Sequence, residues 1–496
     1  SNPVTLSSIE SFAEIMMKLI DLLENIDLVQ TKGDLSIDIK DIKIDSKSVT
    51  KNCLFICLNG RSFDGHNFVH QAELYGARAV VCSKPLSTNL TQIVVKDTRL
   101  AMSLIAANFY GHADKKMKII GVTGTNGKTT TTHIIKSILD KADVKCGLIG
   151  TLGTFYDGKF IESDLTTPDP LELHKTFKDM YLSGVKVVVM EVSAHALALN
   201  KLAGIKFEIG VFTNLTQDHL DFFGNMKKYE EAKISFFEQN RCNFIVSNSD
   251  DETGRKISRK FKNVITYGID NPADVFAMDV KDYPDCVKFI LNLFDCVYNV
   301  KINLLGKFNV SNCLAAATTC ALIGVSADNC AAALYDFNSV SGRLEPVYKG
   351  KFSVYIDYAH TPDGLEKTLS ALKIICKGRL VCVFGCGGNR DKSKREIMGA
   401  ISGKLADFTV ITSDNPRFEE PMDIIRQIEK GMLTVSKRYV LVQDREEAIK
   451  YALNYVKEGD IVLVAGKGSE KYQEILGIKH IYNDKDTITE IIGGTD

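Results

Sequence analysis

The chain has 496 residues, too long for one hydrophobic core, so about two to four domains are expected. Hydrophobic and charged contents of 45% and 25% are those of ordinary globular protein, and a net charge of -1 excludes a general binder of nucleic acid or anionic membrane. No apolar run reaches membrane-spanning length (residues 313–325 come nearest), and 13 cysteines without a C-x-x-C pair read as buried free thiols in a reducing cytoplasm.

In chain order, residues 9–28 carry apolar positions at helical spacing, and short alternating strands follow. Asp45-Ser-Lys-Ser-Val49 leads into the buried-strand candidate 53–58. The turn Asn59-Gly-Arg-Ser-Phe-Asp-Gly-His66, a helix over 68–75 and a strand over 79–82 come next. This is a small α/β unit with no phosphate fingerprint. By spacing alone, Ser46 and the glycine turn are plain turn chemistry.

The pattern then changes. The apolar run 118–122 meets Thr123-Gly-Thr-Asn-Gly-Lys-Thr-Thr130, and residues 129–142 recur at helical spacing through Ile134, Ile135, Ile138 and Leu139. Strand, glycine turn and helix N-terminus make a nucleotide triphosphate site. Backbone N–H groups and the positive helix end face the anion, Lys128 reaches the β/γ-phosphates, and Thr129 holds Mg²⁺. Val122 stands where the common pattern has its first glycine, so the motif is the tighter G-x-x-G-K-T from Gly124 to Thr129. Strands over 146–150, 186–192, 209–215, 243–247 and 264–267 alternate with helices, which implies a parallel sheet. Glu191 lies near the end of its strand, where ligands of open α/β sheets collect; it is either a Mg²⁺ carboxylate or an ordinary end-of-strand acid. Residues 275–305 alternate like antiparallel hairpins.

A second α/β unit begins near 343, with strands over 355–357, 380–384, 408–412, 439–442 and 460–465. Gly385-Cys-Gly-Gly-Asn-Arg390 tempts a dinucleotide reading. Arg390 occupies the last glycine position, so NAD is rejected, and an arginine there suits a carboxylate. Further clusters fall on loops after strands: Glu191-Val-Ser-Ala-His195, Thr213-Asn-Leu-Thr-Gln-Asp-His-Leu-Asp221, Asp357-Tyr-Ala-His-Thr-Pro-Asp363, Asp414-Asn-Pro-Arg417 and Gly466-Lys-Gly-Ser-Glu470. Alone, His195 or His219 is more often a structural histidine; recurrence beside acids points to metal and anion work.

These motifs, with Tyr229-Glu-Glu-Ala-Lys233, Asn309-x-x-Asn312 and Gly342-Arg343, occur in an order that resembles Mur ligases, and look most like the MurE type. The resemblance covers nearly the whole chain. It implies an α/β fold of three domains: a small UDP-sugar-binding unit over 1–97, a central parallel-sheet, P-loop-like ATPase domain over 98–342, and a Rossmann-like amino-acid-binding domain over 343–496. The implied activity is ATP-dependent amide ligation. Meso-diaminopimelate is added to UDP-N-acetylmuramoyl-L-alanyl-D-glutamate through an acyl phosphate, in bacterial cytoplasmic peptidoglycan-precursor synthesis. A monomer without nucleic-acid or membrane partners is expected.

Residue by residue, the resemblance puts ATP on Gly124, Thr125, Asn126, Gly127, Lys128, Thr129, Thr130, Asn309, Asn312, Arg343 and Asp357. It puts two Mg²⁺ ions near Thr129, Glu191, His219 and a carbamylated Lys233, the catalytic group being Lys128, Lys233, His219 and Glu191. By spacing alone Lys233 is a solvated surface lysine. The sugar nucleotide falls to Ser46, Asp64, His66, Thr166, Thr167, Ser193 and Lys201. The amino acid falls to Arg390, Asp414, Asn415, Arg417, Gly466 and Glu470. Arg417 separates diaminopimelate from lysine, because the second carboxylate needs a cation that lysine would leave unpaired. The chain departs from the family at Ser469, where histidine is usual, at Ala194, and at Leu199 and Lys201, often Gln and Arg. Lys201 keeps the charge without the guanidinium fork, which implies rearranged muramoyl contacts. Competing readings are a lysine adder, a folylpolyglutamate-type ligase, and an ATP-hydrolysing scaffold that makes no amide.

Overall fold

The computed structural model describes residues 16–494. The periodic segment 9–28 lies partly outside them; its described part holds the strand Met17–Lys18 and the short helix Leu19–Leu22, not one long helix.

The described chain forms two compact units. One runs to Met117 and takes in Thr167–Gly184 and His195–Lys206. Its five-stranded sheet has the order Gln30–Lys32, Thr91–Val94, Ala79–Cys82, Cys53–Ile56, Asp41–Lys43, antiparallel only at the first pair. Alternation along Cys53–Ile56 serves both faces. Leu54 and Ile56 join Val81 and the helix residues Met102, Ile105 and Phe109, while Phe55 joins Val80, Cys82, Val69 and Ala72. The helix Thr98–Phe109 is capped by Asp97, whose carboxylate accepts from the N–H groups of Arg99 and Leu100. Its apolar face covers the sheet, which carries this unit past residue 97.

The second unit contains two larger sheets. The first has eleven strands. Its parallel centre runs Cys146–Gly150, Val187–Glu191, Lys118–Thr123, Phe207–Phe212, Cys242–Asn248, Val264–Gly268. Antiparallel hairpins close both edges; one is the set Val275–Asp282, Val287–Leu293, Cys296–Ile302, in the segment read as hairpins from its alternation. Lys118–Thr123 sits where connections diverge to either side, the crevice that open α/β sheets use for ligands. The helix Lys128–Lys141 buries Ile134, Ile135, Ile138 and Leu139 against that sheet, each contributing about 1.5–3 kcal/mol. Helix Lys307–Ile323 packs on the same face and is buried nearly all round, which accounts for the apolar run 313–325. No described helix is long and apolar enough to cross a membrane.

The other sheet has six strands in the order Glu345–Lys349, Ser353–Asp357, Ile461–Ala465, Leu380–Phe384, Phe408–Ile411, Tyr439–Leu441, parallel except at the first pair. Helices cover both faces, so its strands read as continuous apolar runs. A separate hairpin, Tyr472–Ile475 with Ile478–Ile481, follows the last parallel strand. Among the described cysteines none forms a disulfide, and most are buried.

Candidate active site

The phosphate loop takes its shape from two glycines. Gly124 has φ 147° and Gly127 has φ 89°, and a Cβ on Gly124 would collide with Thr213 Oγ1. The neighbouring strand-end loop holds the turn: Thr125 N–H donates to Asn214 O at 2.9 Å and Asn126 N–H to Asn214 Oδ1 at 2.9 Å. Gly124→Ala is therefore expected to cost about 1–3 kcal/mol of strain and to weaken nucleotide binding; thermal melting with and without ADP checks both.

Two lysines converge on this loop. Lys128 Nζ donates to Gly124 O at 2.7 Å and Thr125 O at 3.1 Å, and Lys233 Nζ donates to the same Gly124 O at 2.9 Å. Lys233 is 1% exposed, so it is not the surface lysine its spacing suggests. Burial pushes both ammonium pKa values down. The Lys128 charge drives Lys233 further, well below the usual lysine range, against the opposing pull of Asp218.

Beside the lysines, Thr129 Oγ1 donates to Glu191 Oε1 at 2.8 Å, and Arg343 Nη2 donates to Thr129 Oγ1 at 3.0 Å. The Thr151 N–H fixes Glu191 Oε2 at 2.7 Å. His219 turns to another acid: its Nε2 is 3.2 Å from Asp218 Oδ2, which also faces His360 Nε2 at 3.4 Å. Burial alone would raise the Asp218 pKa. Hydrogen bonding to His360 and the charges of His360, His219 and Lys394 outweigh it and hold the carboxyl far below its usual range. Of the expected Mg²⁺ set, Thr129 bonds to Glu191 and His219 faces Asp218, and among the described residues no three His, Cys, Asp or Glu form a metal cluster. A buried carboxylate beside a hydroxyl at a phosphate loop still fits Mg²⁺, which takes one or two carboxylates and completes its shell with phosphate and water.

Asn309 and Asn312 brace the loop from below. Asn312 Oδ1 accepts from Thr131 Oγ1 at 3.2 Å and lies against Gly127, its Nδ2 donates to Asn309 Oδ1 at 3.1 Å, and Asn309 Nδ2 donates to Leu305 O at 2.8 Å.

The six-stranded sheet meets the phosphate loop directly. Asn126 Nδ2 donates to Asp363 Oδ2 at 3.1 Å, and Arg343 stacks 4.4 Å from the Tyr358 ring centroid. Asp357 accepts from the Leu344 and Ala359 N–H groups at 2.6 and 2.8 Å, and burial raises its pKa against the opposing charge of Arg343. Gly466 N–H donates to Asp357 O at 3.0 Å, so the phosphate loop connects to the Gly466–Glu470 loop. There Asp414, Asn415 and Glu470 surround the fully buried Lys467. Arg417 has φ 51°, donates from Nη1 to Gly388 O at 2.9 Å, and pairs from Nε with Glu474 Oε2 at 3.3 Å. Arg390, whose side chain is exposed, and Arg417 both reach Gly387.

The chain matches the Mur ligase middle domain over residues 122–320, the Mur ligase glutamate ligase domain over 342–468, and the Mur ligase family catalytic domain over 38–110. It is 44% identical over 483 residues to UDP-N-acetylmuramoyl-L-alanyl-D-glutamate--2,6-diaminopimelate ligase 1 of Clostridium acetobutylicum, covering 96% of this chain and 99% of the relative. The chain belongs to the Mur ligase family. The Clostridioides difficile ligase of the same substrates is 42% identical, covering 96% of this chain and 99% of its own. A solved 2,6-diaminopimelate ligase superposes with a TM-score of 0.70 at 30% identity, covering 97% of this chain and 99% of that one. The MurF ligase of Thermotoga maritima, solved with ADP, shares the fold at a TM-score of 0.64 and 20% identity, over 92% of this chain and 97% of its own. The three-domain Mur ligase fold expected from the motifs is the one observed.

The residues expected to contact sugar nucleotide divide between the two units of this Mur ligase. Thr166 and Ser193 belong to the larger one, where Thr166 Oγ1 lies 3.1 Å from Thr151 Oγ1. Ser46, Asp64, His66, Thr167 and Lys201 belong to the smaller. Several already have internal partners. Ser46 Oγ donates to Gln71 Oε1 at 2.7 Å, and Lys201 Nζ pairs with Asp169 Oδ1 at 3.0 Å. His66 Nδ1 lies 2.6 Å from Asp64 Oδ1, while Nε2 accepts from the Ser83 N–H at 2.9 Å. Both ring nitrogens are engaged, so His66 shapes the loop rather than offering a polar atom outward. Sequence reasoning quoted Asp218, His360 and Lys467 inside motifs without assigning them roles. Glu474 and Arg445 escaped it altogether, because no local pattern marks their partners.

Proposed function

We propose that this Mur ligase joins meso-diaminopimelate to UDP-N-acetylmuramoyl-L-alanyl-D-glutamate at the expense of ATP. One observation carries the reading: an unbroken chain of contacts runs from Thr129 through Arg343, Leu344 and Asp357 to Gly466, joining a triphosphate loop to a buried Asp414–Lys467–Glu470 cluster. An ATP-hydrolysing scaffold has no need of that second cluster. The division of labour follows: residues 1–97 for the sugar nucleotide, 98–342 for ATP, 343–496 for the amino acid.

A carboxylate is a poor electrophile with a poor leaving group, so it is activated first. One carboxylate oxygen attacks the γ-phosphorus of ATP, the bond to the β-bridging oxygen breaks, and ADP leaves. The neutral amine then attacks the acyl carbon of the acyl phosphate, the tetrahedral intermediate expels inorganic phosphate, and the amine proton is lost. Lys128 and the loop N–H groups neutralise charge on the transferring group, and Arg343 adds a second cation beside Thr129. Mg²⁺ supplies further charge neutralisation, with Thr129, Glu191 and His219 as the residues to hold it. Asn309, Asn312 and Asp357 are assigned to ATP, though both asparagine side chains also brace the loop.

Carbamylation of Lys233 fits its surroundings. Two buried ammonium groups sharing the Gly124 carbonyl repel each other, so Lys233 favours its neutral form, the form that adds CO₂. The amine lone pair forms a bond to the CO₂ carbon as one C=O π bond opens onto oxygen, a nitrogen proton leaves, and the neutral amine beside Lys128 becomes an anion that would support a second Mg²⁺.

Arg417, held by Glu474, and the neighbouring Arg390 are assigned to the second carboxylate of diaminopimelate, and Asp414 and Glu470 to its ammonium. Phosphate release with the muramoyl dipeptide, comparing meso-diaminopimelate, lysine and no amino acid, tests the reading. Diaminopimelate should be required, and a lysine preference or amino-acid-independent release would overturn it. Arg417→Ala should lower kcat/KM for diaminopimelate about 100-fold and narrow its advantage over lysine; the same assay measures both. The reading places the enzyme in the bacterial cytoplasm as a monomer without nucleic-acid or membrane partners.

A further inference from the structure

Two buried cations stand at the ends of the strands that carry the amino-acid motifs. Lys467 is 0% exposed. Its Nζ donates to Asn415 Oδ1 at 2.8 Å, Glu470 Oε1 at 3.0 Å and Tyr472 O at 3.0 Å, and lies 3.3 Å from Asp414 Oδ1. Behind it, Arg445 is paired with Asp484 through two bonds of 2.8 Å. It also donates to Ser413 O and Ala465 O at 3.0 Å, the carbonyls just before Asp414 and Gly466. A buried ammonium is costly, and this one persists because four acceptors surround it.

We propose that Lys467 is a positioning residue for the incoming amino acid: it ties the Asp414–Arg417 loop to the Gly466–Glu470 loop and sets the charge they present. Arg445, paired with Asp484, braces both loops from behind. The inference rests on the amino-acid assignment above and deepens it. Lys467 occupies one oxygen of each carboxylate, Asp414 Oδ1 and Glu470 Oε1, which leaves Asp414 Oδ2 and Glu470 Oε2 without a hydrogen-bond partner among the described residues. Two carboxylates and one ammonium leave one net negative charge, the complement of one substrate ammonium. Gly466, at φ 113°, lets the Asp414 carboxylate approach, since a Cβ there would collide with Asp414 Oδ2.

Loss of the Lys467 charge changes how the cluster titrates, which loss of packing would not. Besides Lys467 and Arg445, the groups acting on Asp414 include His360, and Tyr358 and Tyr472 lie near Glu470; Arg417 and Glu474 form the adjacent pair. Burial raises the Asp414 pKa, and the Lys467 and Arg445 charges outweigh burial. Removing Lys467 leaves two buried carboxylates with one cation fewer, so one of them must titrate at higher pH. Lys467→Met, and Lys467→Gln in case the apolar variant does not fold, should be compared with the parent chain by calorimetric titration of meso-diaminopimelate from pH 6 to 9. Expected are binding weakened at least tenfold near neutrality, a new improvement of affinity with rising pH, and ADP affinity within twofold of the parent. Unchanged amino-acid affinity, or a uniform loss that also affects ADP and has no pH dependence, would overturn the proposal alone. Failure of the parent chain to bind diaminopimelate would overturn it together with the assignment beneath it.

Discussion

Lys128→Ala is expected to lower amide formation at least 100-fold, on the order of 2.7 kcal/mol or more of transition-state stabilisation. In the structure the Lys128 ammonium lies over its own loop, bonded to the Gly124 and Thr125 carbonyls. A bound triphosphate offers a stronger acceptor. The loss should fall on kcat more than on ATP binding, because negative charge shifts towards the bridging oxygen as the phosphoryl group moves. Single-turnover kinetics with saturating ATP separates the two. An undiminished rate would remove Lys128 from the chemistry.

Lys233→Ala should have an effect of similar size, about 100-fold or more, with little change in fold. Among the described residues the side chain forms no ion pair, and its bond to Gly124 O is shared with Lys128. A second measurement distinguishes the carbamate from a plain lysine. Active parent enzyme equilibrated with ¹³C-bicarbonate should show one carbamate carbon resonance that Lys233→Ala lacks. Active enzyme without that resonance would eliminate the modification while leaving the lysine as a loop contact.

Local chemistry was legible from the chain. The phosphate loop spans a few consecutive residues, and its glycines carry the left-handed φ values the turn requires. The parallel sheet followed from strands alternating with helices, and the edge hairpins from alternation over 275–305. Illegible were the features that depend on distant partners. Lys467 sits between two glycines in a marked cluster, and nothing local shows its four acceptors. Arg445 begins a helix with Glu446 and Glu447 beside it, a solvated pattern, yet it is 1% exposed because Asp484 arrives 39 positions later. Lys233 misleads in the same way, and Asp218 gains its second histidine from the other sheet. His66 is marked by its motif, and its ring atoms also bond within the loop.

The central claim is that ATP activates the substrate carboxylate before the amine arrives, and isotope transfer tests it most directly. The muramoyl dipeptide should carry ¹⁸O in its side-chain carboxylate and be converted with ATP and meso-diaminopimelate. The account predicts one ¹⁸O in the released inorganic phosphate for each amide formed, none in ADP. Amide formed with unlabelled phosphate, or phosphate released without amide, would contradict it.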